Sequence, residues 1–158
     1  ATCGLFLKIA HEVAGKYPDI IMEEMIVDAM AMRLLKDPEN FEIIVTTNLF
    51  GDILSDEASM LVGGLGVAAS GNIGEKYALF EPVHGSAPDI SGKNLANPMA
   101  TLFATVMMLQ HLKEFNIAQK LNNALTKMIH ENLLTQDLGG NETTDSFTDK
   151  LLQKLCKI

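Results

Sequence analysis

Apolar residues recur at helical spacing in three segments of the C-terminal part of the sequence, and this periodicity restricts the possible folds more than any other feature. The first segment starts at Asn97-Pro98, a capping residue followed by proline at the first helical position, and continues to Leu112. The second is Ile117–Leu134, and the third runs from Asp145 to Cys156. Each of the three is predicted to be an α-helix.

The preceding part of the sequence alternates between helical and extended patterns. Helical spacing and helix-ending residues predict helices over Gly4–Lys16, Ala29–Lys36 and Asp52–Val62, the second with Asp28 as its N-cap. Runs of β-branched and long apolar residues predict strands over Ile20–Val27, Ile43–Thr47 and Tyr77–Glu81. Strands that alternate with helices indicate an α/β architecture.

Length and composition exclude several classes of protein. A chain of 158 residues, 47% hydrophobic and 20% charged, is long and apolar enough to form a compact domain with a core. Its formal net charge of −8 argues against binding a nucleic-acid backbone. No run of 18 or more apolar residues is present, so a membrane span is not expected.

The two cysteines, Cys3 and Cys156, lie near opposite ends of the sequence and form neither a zinc motif nor a secreted disulfide framework. Residues 1–14 include charged side chains where a signal peptide would have an apolar core. The expected location is therefore the cytoplasm, or the mitochondrial matrix if the source is eukaryotic. Because Ala1 leads directly into helical sequence, a missing front end is also expected.

The first chemically informative motif is NLFGDILSD, residues 48–56. Asp52 and Asp56 are four residues apart, so on a helix both carboxylates point the same way. With Asp28 they offer three hard oxygen ligands, which suit Mg²⁺ or Mn²⁺. Spacing alone favours a different interpretation, in which Asp28 and Asp52 are helix caps and Asp56 is a solvated surface residue.

The second motif is EPVHGSAPDISGKNLANP, residues 81–98. Small and turn-forming residues surround a histidine and an aspartate, which predicts a loop whose backbone a planar ligand can approach closely. The HGSAPD part by itself could also be an ordinary surface turn with an aspartate cap.

Together the two motifs resemble the β-decarboxylating hydroxyacid dehydrogenases, the family of isocitrate, homoisocitrate and isopropylmalate dehydrogenases. The resemblance covers nearly the whole chain and corresponds to the C-terminal half of that family. It implies an isopropylmalate/isocitrate dehydrogenase-like, non-Rossmann, two-domain α/β fold. Residues 1–62 would belong to the smaller, interface-forming domain, and residues 63–158 to the larger domain that binds adenosine.

The resemblance also implies ligands and partners. Asp28, Asp52 and Asp56 would bind Mg²⁺ or Mn²⁺, with Asp28 reaching into the neighbouring protomer's site of a homodimer. The ion would stabilise the charge left when a carboxylate departs as CO₂. The implied cofactor residues are His84, Gly85, Ser86, Ala87, Asp89, Ile90 and Asn97. Asp89 and Ile90 stand where NADP-dependent members have Lys and Tyr, so the implied cofactor is NAD.

The resemblance predicts NAD- and metal-dependent oxidative decarboxylation of a malate-type 2-hydroxy acid. GNIGEKYALFEP, residues 71–82, favours isocitrate or homoisocitrate over isopropylmalate. The family's catalytic Lys and Tyr would lie in an N-terminal half, so no catalytic residue is assigned and the isolated chain is expected to be inactive. A nucleotide-binding or regulatory module and a dimerisation domain remain as alternatives.

Two other features are interpreted as having no catalytic role. Gly64–Ala69 fits the pattern G-x-G-x-x-A, but it follows a predicted helix, whereas a dinucleotide fingerprint follows a strand and opens a helix. His11, His111 and His130 lie on or at the end of predicted helices and are expected to be surface or capping residues.

Overall fold

The structure, a computed structural model, describes residues 2–156. It contains six α-helices and one two-stranded sheet in the order α1 (Thr2–Ala14), α2 (Val27–Lys36), α3 (Asn48–Leu61), β1 (Ala69–Ile73), β2 (Ala78–Pro82), α4 (Met99–His111), α5 (Phe115–His130) and α6 (Thr144–Leu155). Short 3₁₀ turns lie at Pro38–Asn40, Leu65–Val67 and Gln136–Leu138. None of the helices in residues 2–156 is long and apolar enough to cross a membrane.

The chain divides into two compact units, Ala1–Ile44 and Val45–Ile158. The C-terminal unit contains the main core, which is built from α4, α5 and α6. Met99, Leu125, Met128 and Phe147 are completely buried there, so each of the three predicted helices buries apolar side chains, although Leu112 and Ile117 at helix ends are exposed. Burying side chains of this size contributes about 1.5–3 kcal/mol each.

Strands β1 and β2 form an antiparallel hairpin that packs against α4. The predicted strand over Tyr77–Glu81 is confirmed as β2, whereas β1 was not predicted. Gly71 of β1 faces Phe80 of β2, and a Cβ at Gly71 would lie 3.1 Å from the Phe80 ring and 3.2 Å from Met107 Cε. A glycine in this strand therefore lets α4 and β2 approach closely.

The N-terminal unit contains α1 and α2 and buries few side chains. Met30 and Leu34 on one face of α2 are buried, whereas none of the residues of α1 is. In the segment between the two helices Ile21 is 90% exposed.

Two predicted strands, Ile20–Val27 and Ile43–Thr47, are wrong. Residues 21–26 and 43–47 form neither strand nor helix, and Val27 already belongs to α2. The second was expected to be buried, yet Ile43 is 85% exposed. The sequence has the apolar composition of a strand, but no described segment pairs with either run, and a strand needs a partner for its backbone N–H and C=O groups.

The prediction that Asp28 is the N-cap of α2 is wrong. The helix begins at Val27 with Ile26 as its N-cap, so Asp28 lies in the first turn. Its Oδ1 accepts a hydrogen bond from the adjacent Ala29 N–H at 2.7 Å. A carboxylate in this position is stabilised by the partial positive charge of the helix N-terminus.

Candidate metal and adenosine site

Helix α3 presents the first motif. It begins at Asn48, four residues before the predicted start, so Asp52 lies in its second turn. Asp52 and Asp56 are both exposed and occupy one face, with Cβ atoms about 5–6 Å apart in such a pair. Asn48 Nδ2 donates a hydrogen bond to Asp52 Oδ2 at 3.2 Å, which restrains that carboxylate.

Asp28 is exposed on α2 and lies in the other compact unit. Within residues 2–156, no three His, Cys, Asp or Glu side chains are grouped so that they could hold a metal ion. Two of the three predicted ligands, Asp52 and Asp56, therefore lie together on α3, whereas the third, Asp28, lies on α2.

The second motif forms the connection between β2 and α4, residues 83–98. Gly85, Ser86, Ala87 and Asp89 are exposed in this connection, whereas His84 and Ile90 are half-buried. A turn closes where the Ile90 N–H donates to the Ala87 carbonyl at 3.1 Å. The predicted cofactor residues other than Asn97 thus lie together on one accessible loop.

His84 and Gly85 have a defined local geometry. His84 Nδ1 lies 3.0 Å from the carbonyl oxygen of Gly85. A carbonyl only accepts hydrogen bonds, so this contact requires a proton on Nδ1, and Nε2 can then accept a hydrogen bond in the tautomer with a single ring proton. No atom lies within 4 Å of where a Cβ of Gly85 would be, so the backbone is open to a ligand from that side.

Asn97 differs from the other predicted cofactor residues because it is 9% exposed. Its Oδ1 accepts from the Met99 N–H at 2.9 Å at the start of α4, and its Nδ2 donates to Asp137 Oδ2 at 2.9 Å. The N-cap of α4 is Pro98, one residue later than predicted, but the Asn97 side chain still accepts a hydrogen bond from the first turn of the helix. The side-chain amide is engaged within the protein, so a contact with a cofactor would fall to the backbone of this residue.

Asp137 was not identified from the sequence. It lies in the short turn between α5 and α6, and its Oδ1 accepts from the buried Thr135 hydroxyl at 2.5 Å. This carboxylate therefore joins the end of the loop to the connection before α6. The stretch around it, Gln136–Thr144, is rich in polar and glycine residues like a short linker, and nothing in its sequence indicates this contact.

The interpretation of Gly64–Ala69 as unrelated to a dinucleotide fingerprint is confirmed. The run follows α3 and leads through a 3₁₀ turn into β1. Gly66 has a packing function instead. A Cβ there would lie 2.5 Å from Asp137 Oδ2 and 3.1 Å from Asn97 Nδ2, so glycine makes room for that hydrogen-bonded pair.

The three histidines outside the motifs are exposed, as expected. His11 Nε2 is hydrogen-bonded to the Glu24 carboxylate, and His111 at the end of α4 stacks at an angle on Phe80, with ring centroids 5.6 Å apart. Cys3 and Cys156 are both free thiols.

An open apolar cavity of about 500 Å³ also lies in the C-terminal unit. It is lined by seven apolar residues, among them Phe103, Ile129 and Leu138. None of the predicted metal or cofactor residues lines it, and it offers no charged group to either ligand. The predicted site residues of this unit therefore lie on α3 and on the loop, and not in this cavity.

Comparison with known proteins identifies relatives along almost the entire chain. Residues 1–151 match the family described as Isocitrate/isopropylmalate dehydrogenase. A 3-isopropylmalate dehydrogenase of Methanothermobacter thermautotrophicus is 53% identical over 98% of the chain and 47% of its own length. A mitochondrial protein of Dictyostelium discoideum, a regulatory subunit of NAD isocitrate dehydrogenase, is 47% identical over 96% of the chain and 44% of its own length.

Solved structures give the same result for the fold. The crystal structure of isocitrate dehydrogenase from Methylococcus capsulatus superimposes with a TM-score of 0.93 at 45% identity, over 96% of this chain and 46% of that one. The fold predicted from the motifs is confirmed. The chain spans about half the length of the curated relatives it matches.

Proposed function

Because the chain belongs to the isocitrate/isopropylmalate dehydrogenase family, we propose that it is the metal- and adenosine-binding part of an NAD-dependent β-decarboxylating dehydrogenase. The proposed reaction is the oxidative decarboxylation of a malate-type 2-hydroxy acid, with isocitrate converted to 2-oxoglutarate. The observation that carries the proposal is the family match over residues 1–151, which includes both motifs. In this proposal the complete enzyme consists of this chain together with the half that the relatives have in addition.

The carboxylates of α3 fit a Mg²⁺ or Mn²⁺ ion. Asp52 and Asp56 supply hard oxygen atoms on one exposed helix face, and Asn48 restrains Asp52. Asp28 of the second protomer of a homodimer would complete the set. When bound, the ion supplies electrophilic stabilisation of the charge that develops during decarboxylation. The chain's own contribution is to hold the carboxylates on a regular helix and so fix their spacing.

The loop between β2 and α4 fits the adenosine part of NAD. The exposed carboxylate of Asp89 can accept hydrogen bonds from both hydroxyls of a ribose and would repel a 2′-phosphate. His84 Nε2 can accept a hydrogen bond from an adenine amino group, and the open side of Gly85 leaves space for the ring. The charge at Asp89 is the reason to propose NAD over NADP.

The choice of isocitrate rests on residues 71–82, which form most of the β-hairpin. The relatives include isopropylmalate, isocitrate and homoisocitrate dehydrogenases at 53%, 52% and 47% identity, so isopropylmalate and homoisocitrate are the alternatives. The complete enzyme should be assayed with each of the three acids, NAD and Mn²⁺. Turnover of isopropylmalate alone would overturn the choice of isocitrate, and no turnover of any of them would overturn the proposed reaction.

A complementation experiment tests whether this chain contributes to catalysis. The chain is mixed with a separately produced N-terminal half, and isocitrate-dependent NADH formation is measured. Turnover that appears only in the mixture supports a catalytic contribution. Asp52→Asn in this chain should abolish it without preventing assembly, which size-exclusion chromatography of the mixture would show.

A regulatory or nucleotide-binding module is the second candidate, and the similarity to a regulatory subunit favours it. In that case the chain would assemble with its partner half, yet the complex would have no turnover of its own. It would instead change the activity of a separate catalytic chain. Assembly without turnover in the complementation experiment would therefore favour the regulatory function.

We also propose that the complete enzyme is a homodimer located in the cytoplasm or the mitochondrial matrix. A two-fold interface would bring Asp28 of each protomer to the carboxylate pair of the other. Light scattering at micromolar concentration tests this, and a monodisperse monomer with full activity would contradict it.

A further inference from the structure

The connection between β2 and α4, residues 83–98, is called the adenosine loop here. Its residues 94–96 are held by hydrogen bonds from helix α6. Asn94 has a φ of +58°, a left-handed conformation that side chains other than glycine adopt at a cost. Its Nδ2 donates to Asp145 Oδ2 at 2.9 Å, and its Oδ1 accepts from the Asp145 N–H at 3.1 Å. This reciprocal pair offsets the cost of the conformation and fixes its position.

Thr144 adds two further hydrogen bonds to the same stretch of loop. Its N–H donates to the Asn94 carbonyl at 3.1 Å, and its hydroxyl donates to the Ala96 carbonyl at 2.6 Å. Two consecutive residues of α6 therefore make four hydrogen bonds to residues 94–96, which are about 50 positions earlier in the sequence.

The element that carries these two residues is itself firmly anchored. Phe147 and Leu151 of α6 are 0% and 2% exposed in the main core. A capping box between Thr143 and Ser146 closes the start of the helix, with reciprocal hydrogen bonds of 3.1 and 2.9 Å. Thr144 and Asp145 therefore hold the loop in a fixed position relative to the core.

We infer that Thr144 and Asp145 are positioning residues for NAD binding: they fix the backbone of residues 94–96 and so hold the adenosine loop in its binding conformation. The inference rests on the proposed function of that loop. Neither residue needs to touch the cofactor, because both act through Asn94 and Ala96. A loop that is ordered in advance loses less conformational entropy when the ligand binds.

The first test measures steady-state kinetics of the complete enzyme. The double variant Thr144→Val/Asp145→Ala should raise KM for NAD about tenfold and change kcat by less than about twofold, because binding and not chemistry is affected. Asp145→Asn retains an oxygen that accepts from Asn94 and should stay close to the wild type. An unchanged KM in the double variant would overturn the inference.

A matched control separates positioning from a general loss of stability. Thr143→Ala removes the cap of α6. Thr143 takes part in none of the four hydrogen bonds to the loop. It should lower Tm and leave KM for NAD unchanged. A KM that rises as much in this control as in the double variant would show that helix stability alone is responsible, and the inference would fail.

Hydrogen exchange of the 158-residue chain gives a readout that needs no turnover. The N–H of Lys93 donates to the Ile90 carbonyl at 3.1 Å within the loop, and its exchange should become faster in the double variant but not in Thr143→Ala. If the wild-type enzyme neither binds nor uses NAD, the proposed function fails. If exchange at Lys93 is the same in the wild-type chain and the double variant, the positioning inference fails even when NAD is used.

Discussion

The Asn97 amide and the Asp137 carboxylate join two segments that are 40 residues apart, with Nδ2 donating to Oδ2 at 2.9 Å. The pair lies against Gly66, the third residue of a glycine-containing run that resembles a nucleotide-binding fingerprint. In this chain the glycine is needed because of what packs on it inside the protein, and not because a phosphate approaches it.

Gly66→Ala should destabilise the protein. The added methyl would lie 2.5 Å from Asp137 Oδ2, so the pair must separate and leave the buried Asn97 amide without its acceptor. The expected loss in free energy of unfolding is about 1–3 kcal/mol. Denaturant titration of the 158-residue chain measures it, and a stability equal to that of the wild type would contradict the contact.

Gly85→Ala should leave the stability unchanged and weaken NAD binding, and it is the matched variant for Gly66→Ala. A methyl at Gly85 meets no atom within 4 Å, so the stability of the chain should change by less than about 0.5 kcal/mol. If adenine binds beside this backbone, the methyl should raise the Kd for NAD about tenfold or more. Calorimetric titration of the complete enzyme tests this, and unchanged affinity would move the adenine away from Gly85.

Asp52→Asn and Asp56→Asn should each weaken Mn²⁺ binding by at least about tenfold, because each removes a charged ligand from a site built of hard oxygens. Both residues are exposed, so Tm should not change. Glu57→Gln on the same helix, one residue beyond the carboxylate pair, is the control. If Asp52→Asn and Asp56→Asn bound Mn²⁺ as tightly as Glu57→Gln does, α3 would not belong to the metal site.

Replacing Asp89 with Lys and Ile90 with Tyr should shift the preference of the complete enzyme from NAD to NADP. The proposed hydrogen bonds from two ribose hydroxyls to the Asp89 carboxylate are lost, at about 1.5–3 kcal/mol, which corresponds to roughly tenfold to a hundredfold in NAD affinity. The Lys and Tyr offer the 2′-phosphate a cation and a hydroxyl donor. The ratio of kcat/KM for the two cofactors is the measurement.

Asp89→Asn is the control for that change, since it removes the repulsion of the phosphate without adding a cation. It should improve the use of NADP less than the double substitution does. An unchanged NAD preference in the double variant would show that Asp89 does not contact the ribose, and the cofactor site would have to be placed elsewhere.

The parts of the fold that were predicted correctly are those whose information is local. Helical periodicity and caps located α4, α5 and α6 to within a few residues, because each has an apolar face and a recognisable start or end. The strands expected at Ile20–Val27 and Ile43–Thr47 have suitable compositions, but a strand also needs a neighbour, which composition does not specify.

The site shows the same limit. The two motifs identified α3 and the loop before α4, because they are contiguous in sequence. Asp137, Thr144 and Asp145 were missed, because each makes its contact with a residue 40 or more positions away. The strand β1 was missed for a related reason: its sequence, ASGNI, is largely small and polar, and its pairing partner β2 defines it.

Glu142 should make the stability of the protein depend on pH. A hydrogen bond from Lys150 Nζ at 2.5 Å and a second from Ser146 Oγ at 2.7 Å lower the pKa of this carboxyl below its ordinary value of 4.5. The folded chain therefore holds this proton less tightly than the unfolded chain. The stabilisation is present above pH 4.5 and is lost as the pH falls through the lowered pKa.

Glu142→Gln should consequently have a lower free energy of unfolding than the wild type at a pH of about 7. At a pH of about 3 the difference between the two proteins should be smaller. Lys150→Met should have the same effect, and the two changes together should add little beyond either one. Denaturant titrations at both pH values provide the data. A difference from the wild type that stays constant with pH would rule out the ion pair as its source.

The left-handed backbone of Asn94 and its reciprocal bonds with Asp145 restrict which substitutions can accumulate during evolution. Glycine accepts the conformation at Asn94 without the side-chain bonds, and Asp retains part of both, whereas a β-branched residue permits neither. Position 145 loses its acceptor function when position 94 becomes glycine. Sequences of this family should therefore vary together at these two positions, with the acidic side chain kept where Asn is kept.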